Sequence, residues 1–174
     1  LPGGGGGAAP RVVVERPANT SLHNRLALAP RARSRAVFSV DDDVLVACAD
    51  VERAFDVWRA AAAAGERGAP LPPMVGFEPR FLARDARGRW AYRPWQTAWR
   101  RGRYHLVLSK AAFVHAAQLA AYTRAPARTP DAAARSLVDA RRNCEDLALA
   151  FSVAAAQGAR GAVPPAVRVR GQGR

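Results

Sequence analysis

Apolar residues in this chain fall in short blocks whose spacing alternates between that of strands and that of helices. Arg11 to Glu15 predicts a first strand, followed by a polar turn at Asn19-Thr20-Ser21. Ala36-Val37-Phe38-Ser39-Val40 is short, rich in β-branched and aromatic residues and bounded by charge, the signature of a buried strand. A helix is expected from about Asp50, because Val51, Ala54, Phe55 and Trp58 recur at i, i+3, i+4 and i+7 and form one apolar face. A Gly/Pro loop from Gly65 to Pro73 leads to a second buried strand, Met74 to Phe77. Residues 84–103 read as a polar, Trp-rich connection without a clear period. Tyr104 to Leu108 predicts another strand, and Ser109 then caps a helix with Phe113, Ala116, Ala117 and Ala120 on one face. Thr129-Pro130-Asp131 opens a further helix with a cap and a first-turn proline, and Asn143 opens the last, through Phe151 toward Gly158. This alternation predicts an α/β fold: a mostly parallel sheet with helices on both faces.

The strand at residues 36–40 ends in three carboxylates, Asp41-Asp42-Asp43. In open α/β sheets ligands bind outside the carboxyl ends of strands, and hard divalent cations take carboxylate and phosphate oxygens. Adjacent residues on a bending chain point at different targets, so one aspartate can bind metal while its neighbour accepts a hydrogen bond from a sugar hydroxyl. A metal-bound diphosphate site follows; a solvated acidic turn is the plain alternative. Near the other end, Asn143 with Asp146 three residues later has the spacing of a helix capping box.

Composition narrows the partners. The 174 residues amount to one domain, 49% hydrophobic, with a formal net charge of +13 carried almost wholly by arginine; Lys110 is the single lysine. Such a charge favours anionic partners, although the scattered arginines also fit a compositional bias. Interleaved arginine and Trp90, Trp95 and Trp99 suit a nucleic-acid-binding module or an acceptor-sugar groove equally; the acidic run, which would repel a phosphate backbone, argues against nucleic acid. No apolar span is long enough to cross a membrane, so any anchor is expected outside this chain. The ends, a Gly-rich stretch over residues 1–10 and a short tail at 171–174, are expected to be disordered, flanking a domain at 11–170 that is incomplete at both ends. Cys48 and Cys144 show no zinc spacing. Cys48 reads as a small buried residue opening the helix after the acidic run.

Several segments together carry a resemblance. In order they are Ser21-Leu22-His23-Asn24-Arg25, Ser39-Val40-Asp41-Asp42-Asp43-Val44, Ala54-Phe55-Asp56-Val57-Trp58, Met74-Val75-Gly76-Phe77-Glu78-Pro79-Arg80, Tyr104 to Phe113, and Asn143-Cys144-Glu145-Asp146-Leu147-Ala148. This collinear series resembles the exostosin-type glycosyltransferase domain, glycosyltransferase family 64, over roughly residues 11–170. The stretch at residues 90–113 is most similar to plant and algal members that glycosylate inositol phosphorylceramides.

The resemblance implies a GT-A fold and a retaining transfer from a UDP-sugar, such as a UDP-N-acetylhexosamine, to a glycan or glycosphingolipid acceptor. It implies Mn²⁺ bound by Asp43, with Asp41 and Asp42 on the nucleotide and sugar and Arg25 on the UDP portion. Asp146 would stand at the reacting centre with Glu145 holding sugar hydroxyls. A Golgi or endoplasmic reticulum lumen location, membrane-associated in the full-length protein, is implied as well. Thr20 stands where relatives usually carry asparagine, with Asn19 one step away. Cys144 pairs, in the family, with a later cysteine that this chain lacks, so a free thiol is expected here unless Cys48 lies within bridging distance.

Overall fold

The computed structural model describes residues 12–27, 32–65, 71–157 and 167–168. In chain order its elements are a 3₁₀ helix Leu22–Leu26, β1 (Ala36–Val40), α1 (Cys48–Gly65), β2 (Val75–Gly76), β3 (Pro79–Arg84), β4 (Trp90–Arg93), α2 (Trp95–Arg101), β5 (Leu106–Val107), β6 (Ala111–His115), α3 (Ala116–Thr123), α4 (Pro130–Arg141), α5 (Glu145–Ala156) and β7 (Val167–Arg168).

The chain is α/β, but its sheets are largely antiparallel, which corrects the expected mostly parallel sheet. The main sheet has the order β1-β6-β2-β7, and β6 pairs antiparallel with both β1 and β2; only β2 and β7 are parallel. Because both flank β6 in the same sense, β1 and β2 run in one direction, as a strand-helix-strand unit should. The later strand β6 slots between them and converts their pairing.

The segment that forms β6 is the main misreading. Ala111–His115 is a strand rather than a Ser109-capped helix, with Ala112 and Val114 in one core and Phe113 in the other. A strand buried on both faces is a continuous apolar run, which periodicity cannot tell from a helix. The helix begins at Ala116 instead, where the His115 ring accepts the Ala117 N–H and the Gln118 side chain accepts the His115 N–H. Gly76 lets β2 lie against β6: a Cβ there would stand 2.4 Å from the Ala111 carbonyl oxygen.

Helices cover both faces of the main sheet. Ala54 and Trp58 of α1 pack with Val75 and Phe113 on one side. Leu119 and Tyr122 of α3 and Leu149 and Val153 of α5 pack with Leu26, Ala112 and Val114 on the other.

A second, antiparallel sheet has the order β4-β3-β5. It takes up much of the stretch read as an irregular connection. The Asp85 carboxylate accepts the Arg87 and Arg89 N–H groups, and Gly88 turns the chain at φ 73°, which closes the β3–β4 hairpin. Residues 12–15 form no strand, and Arg11 lies outside the described residues. So do the termini at 1–10 and 171–174 and the helix limit at Gly158; α5 ends at Ala156. Among the described residues no helix is long and apolar enough to cross a membrane.

Candidate functional site

The carboxyl end of β1 meets the amino end of β6, because the register joins Val40 to Ala111 and the Asp41 N–H donates to the Lys110 carbonyl at 2.8 Å. The acidic run therefore leaves the sheet beside Ser109 and Lys110. The first turn of α5 brings Glu145 and Asp146 to the same edge.

Arg25, at the end of the 3₁₀ helix, joins these pieces. Its guanidinium lies 2.7 Å from Asp41, 3.4 Å from Glu145 and 3.6 Å from Asp146. It also donates to the Ser109 carbonyl at 3.0 Å and to the Ser39 hydroxyl at 3.2 Å. One cation thus ties together three carboxylates from two distant parts of the sequence. Asp41 is nevertheless pushed above the ordinary aspartate range, since burial outweighs the pull of Arg25 and the Asp146 charge adds to the rise.

The fully buried Ser109 donates its hydroxyl to Asp146 and accepts from Arg25. By sequence alone Ser109 reads as a helix cap. Its position in a chain that enters a central strand, rather than a helix, is what turns it onto the carboxylate.

The expected capping box at Asn143 does not form. Asn143 instead accepts the N–H of Cys144 at 2.7 Å, and Cys144, the residue before α5, has no side-chain cap and sits at φ 74°. Arg142 also lies in the left-handed region, at φ 52°. Non-glycine residues held there store roughly 1–2 kcal/mol each. The tight α4–α5 reversal they make places Glu145 and Asp146 in the first helical turn, where a negative charge is favoured. Cys144 and Cys48 are both free and exposed, which corrects the reading of Cys48 as buried.

Asp43 stands apart from the Arg25 cluster. Its carboxylate is mostly exposed and accepts from Lys110 at 2.8 Å, a bond that holds it below the usual carboxylate range. Asp42 is exposed. No group of three or more His, Cys, Asp or Glu side chains converges to hold a metal among the described residues. An accessible hard oxygen donor at a strand end nonetheless fits a hard cation that takes its other ligands from a diphosphate and water.

A cleft of about 460 Å³ opens beside Arg25, lined by Val13, Pro17, Asn24 and Val37, a volume within the range of small-molecule sites. The hydroxyl of Tyr92 in β4 accepts from Arg80 at 2.5 Å. Burial raises the Tyr92 phenol, Arg80 lowers it, and the charges of Asp146 and Cys144 raise it further, which puts Tyr92 within electrostatic reach of the acidic cluster. Thr20, at the position of the expected asparagine, accepts from Arg142 at 2.9 Å, while the Asn19 side chain faces Asn24.

An arginine-bridged carboxylate cluster in an α/β domain thus lies where the carboxyl end of β1 meets the amino end of β6. Residues 7–172 match the glycosyl transferase family 64 domain, and the chain belongs to that family. It is 36% identical over 156 residues to glycosylinositol phosphorylceramide mannosyl transferase 1 of Arabidopsis thaliana, covering 87% of this chain and 41% of that protein. To glucosamine inositolphosphorylceramide transferase 1 of Oryza sativa subsp. japonica it is 36% identical over 141 residues, 80% of this chain and 17% of the other. To human exostosin-like 2 it is 29% identical over 148 residues, 82% and 40% respectively. The chain spans less than half the length of each of these relatives.

Proposed function

We propose that this domain transfers a sugar from a nucleotide diphosphate donor, a UDP-N-acetylhexosamine or related NDP-sugar, to a glycan or glycosphingolipid acceptor, with retention and with Mn²⁺. The observation that carries the reading is the convergence of Arg25, Asp41, Glu145 and Asp146 at the edge where Asp43 leaves β1. The names of the Arabidopsis and rice relatives, both of which specify a phosphorylceramide, favour a glycolipid acceptor. In the full-length protein the domain works at a membrane of the Golgi or endoplasmic reticulum lumen.

Asp43 would hold Mn²⁺ in this reading, with the Lys110 ammonium, its present partner, beside it to meet the diphosphate. The cation supplies Lewis-acid neutralisation of the charge that builds on the departing UDP. Arg25 contacts the nucleotide, next to the cleft lined by Val13, Asn24 and Val37. Asp41, Asp42 and Glu145 hold ribose and sugar hydroxyls. Asp146, aimed by the Ser109 hydroxyl, faces the positive charge that develops on the donor sugar as its bond to UDP breaks.

Calorimetric titration of UDP with and without Mn²⁺, followed by a panel of UDP- and GDP-sugars, tests the assignment. The wild type should bind UDP only with metal, and Asp43→Ala should lose that metal-dependent binding while staying folded. Equal UDP binding in chelator would overturn the metal site.

A further inference from the structure

The β4-β3-β5 sheet and α2 form a lobe rich in exposed arginine and aromatic side chains. From Arg80 to Arg103 the chain carries eight arginines and one acid, Asp85. That acid is engaged by the backbone and side chain of Arg89 and the backbone of Arg87. Arg84, Arg87, Arg89, Arg93, Arg100, Arg101 and Arg103 are exposed. Among them stand four exposed aromatic side chains: Trp90, at 68%, with Tyr92, Trp95 and Trp99.

Aromatic and cationic groups are paired on this lobe. The Arg84 guanidinium lies 4.7 Å from the Trp90 ring centroid, and Arg80 lies 5.9 Å from that of Tyr92. The hairpin register puts Arg84 opposite Trp90 and Leu82 opposite Tyr92, so these side chains share one face of the small sheet. Trp95 and Trp99, one turn apart on α2, meet edge to face at 5.6 Å. Exposed indoles beside arginines are the composition that settles at a membrane–water interface, with rings at headgroup level and guanidinium groups on lipid phosphates.

We propose that this lobe seats the domain on an anionic lipid bilayer. Charge complementarity selects the partner: eight arginines against one acid favour an anionic surface, and the exposed indoles among them favour the boundary between water and lipid. Arg84 occupies one face of Trp90 that base stacking would use. The membrane contact does not rest on the glycosyltransferase reading.

Co-sedimentation of the chain with vesicles tests it, comparing neutral phosphatidylcholine with phosphatidylcholine in which about a third of the lipid is phosphatidylserine. The partition coefficient should be at least about tenfold higher on anionic vesicles, fall steeply as salt is raised, and come with a blue shift of indole fluorescence. Trp90→Ala combined with Trp95→Ala, and separately Arg93→Gln combined with Arg100→Gln, should each lower anionic partition about tenfold with an unchanged circular dichroism spectrum. The second pair keeps the test decisive if the first fails to fold. Equal partition onto neutral and anionic vesicles, or wild-type partition by both pairs, would overturn the proposal. So would tighter binding to a single-stranded oligonucleotide than to anionic vesicles at the same salt. UDP titration with Mn²⁺ in vesicle-free solution reports on the donor site separately, so failure of either reading leaves the other measurable.

Discussion

The sheet edge around Arg25 and the lobe around Trp90 use the same residue type in opposite ways. Arg25 is only about a quarter exposed and pairs with three carboxylates, and it also donates to Ser39 and Ser109. On the lobe, arginines outnumber acids eight to one, seven of them are exposed, and Arg84 lies over the Trp90 ring. A buried charge must be paired within the fold, because leaving its partner bare costs several kcal/mol, whereas an exposed one costs little and remains available to a partner. The first arrangement builds a site, and the second builds a surface.

The largest effect should follow from Asp146→Asn in a full-length version of the protein. Transfer should fall by about two to three orders of magnitude with Mn²⁺-dependent UDP binding retained, the loss expected when a group that stabilises transition-state charge is neutralised. Near-normal turnover would reduce Asp146 to a helix-end residue worth about 1 kcal/mol.

Stability tests the contrast directly. Arg25→Met should cost about 2–3 kcal/mol in urea unfolding, since it strands Asp41, Glu145 and Asp146 beside one another; its partial exposure keeps the figure at the low end for a broken buried pair. Arg93→Gln and Arg100→Gln should each change stability by less than about 0.5 kcal/mol. Equal costs in the two regions would erase the distinction.

A smaller effect concerns pH. Burial holds His105 below its ordinary value of 6.5, with the Arg103 charge adding to it, and its Nδ1 accepts the Leu82 N–H at 3.0 Å, which requires that nitrogen to be unprotonated. The unfolded chain takes up the proton first. The stabilising contribution is therefore complete above 6.5 and is lost as pH falls through the window below it, down to the depressed folded value. Thermal unfolding of wild type against His105→Gln should converge as the solution is acidified through this window; parallel curves would place His105 in open solvent.

The smallest change is a gain. Cys144→Gly relieves the left-handed strain at φ 74° and should raise stability by about 0.5–1 kcal/mol, the strain being partly offset by glycine's chain entropy. The thiol count of the denatured, unreduced protein should fall from two to one; a count of zero in the wild type would mean that Cys48 and Cys144 are bridged, against their free state here.

The sequence alone determined the local chemistry. Strand β1 with its carboxylate terminus, the Thr129-capped helix α4 and the apolar face of α1 carried by Ala54 and Trp58 all follow from short-range rules, because caps, turns and periods act within a few residues. Collinear motifs were enough to indicate the family. Tertiary structure alone decided that Ala111–His115 is a strand: a segment buried on both sides carries no period, so only its two neighbours, β1 and β2, select the extended form. The remaining site followed from that choice. With β6 in place, Ser109 turns onto Asp146 and Lys110 onto Asp43, and Arg25 reaches carboxylates 16 and 120 residues away in sequence. No local pattern encodes such distances, since ion pairs of this separation form only where packing has already brought the elements together.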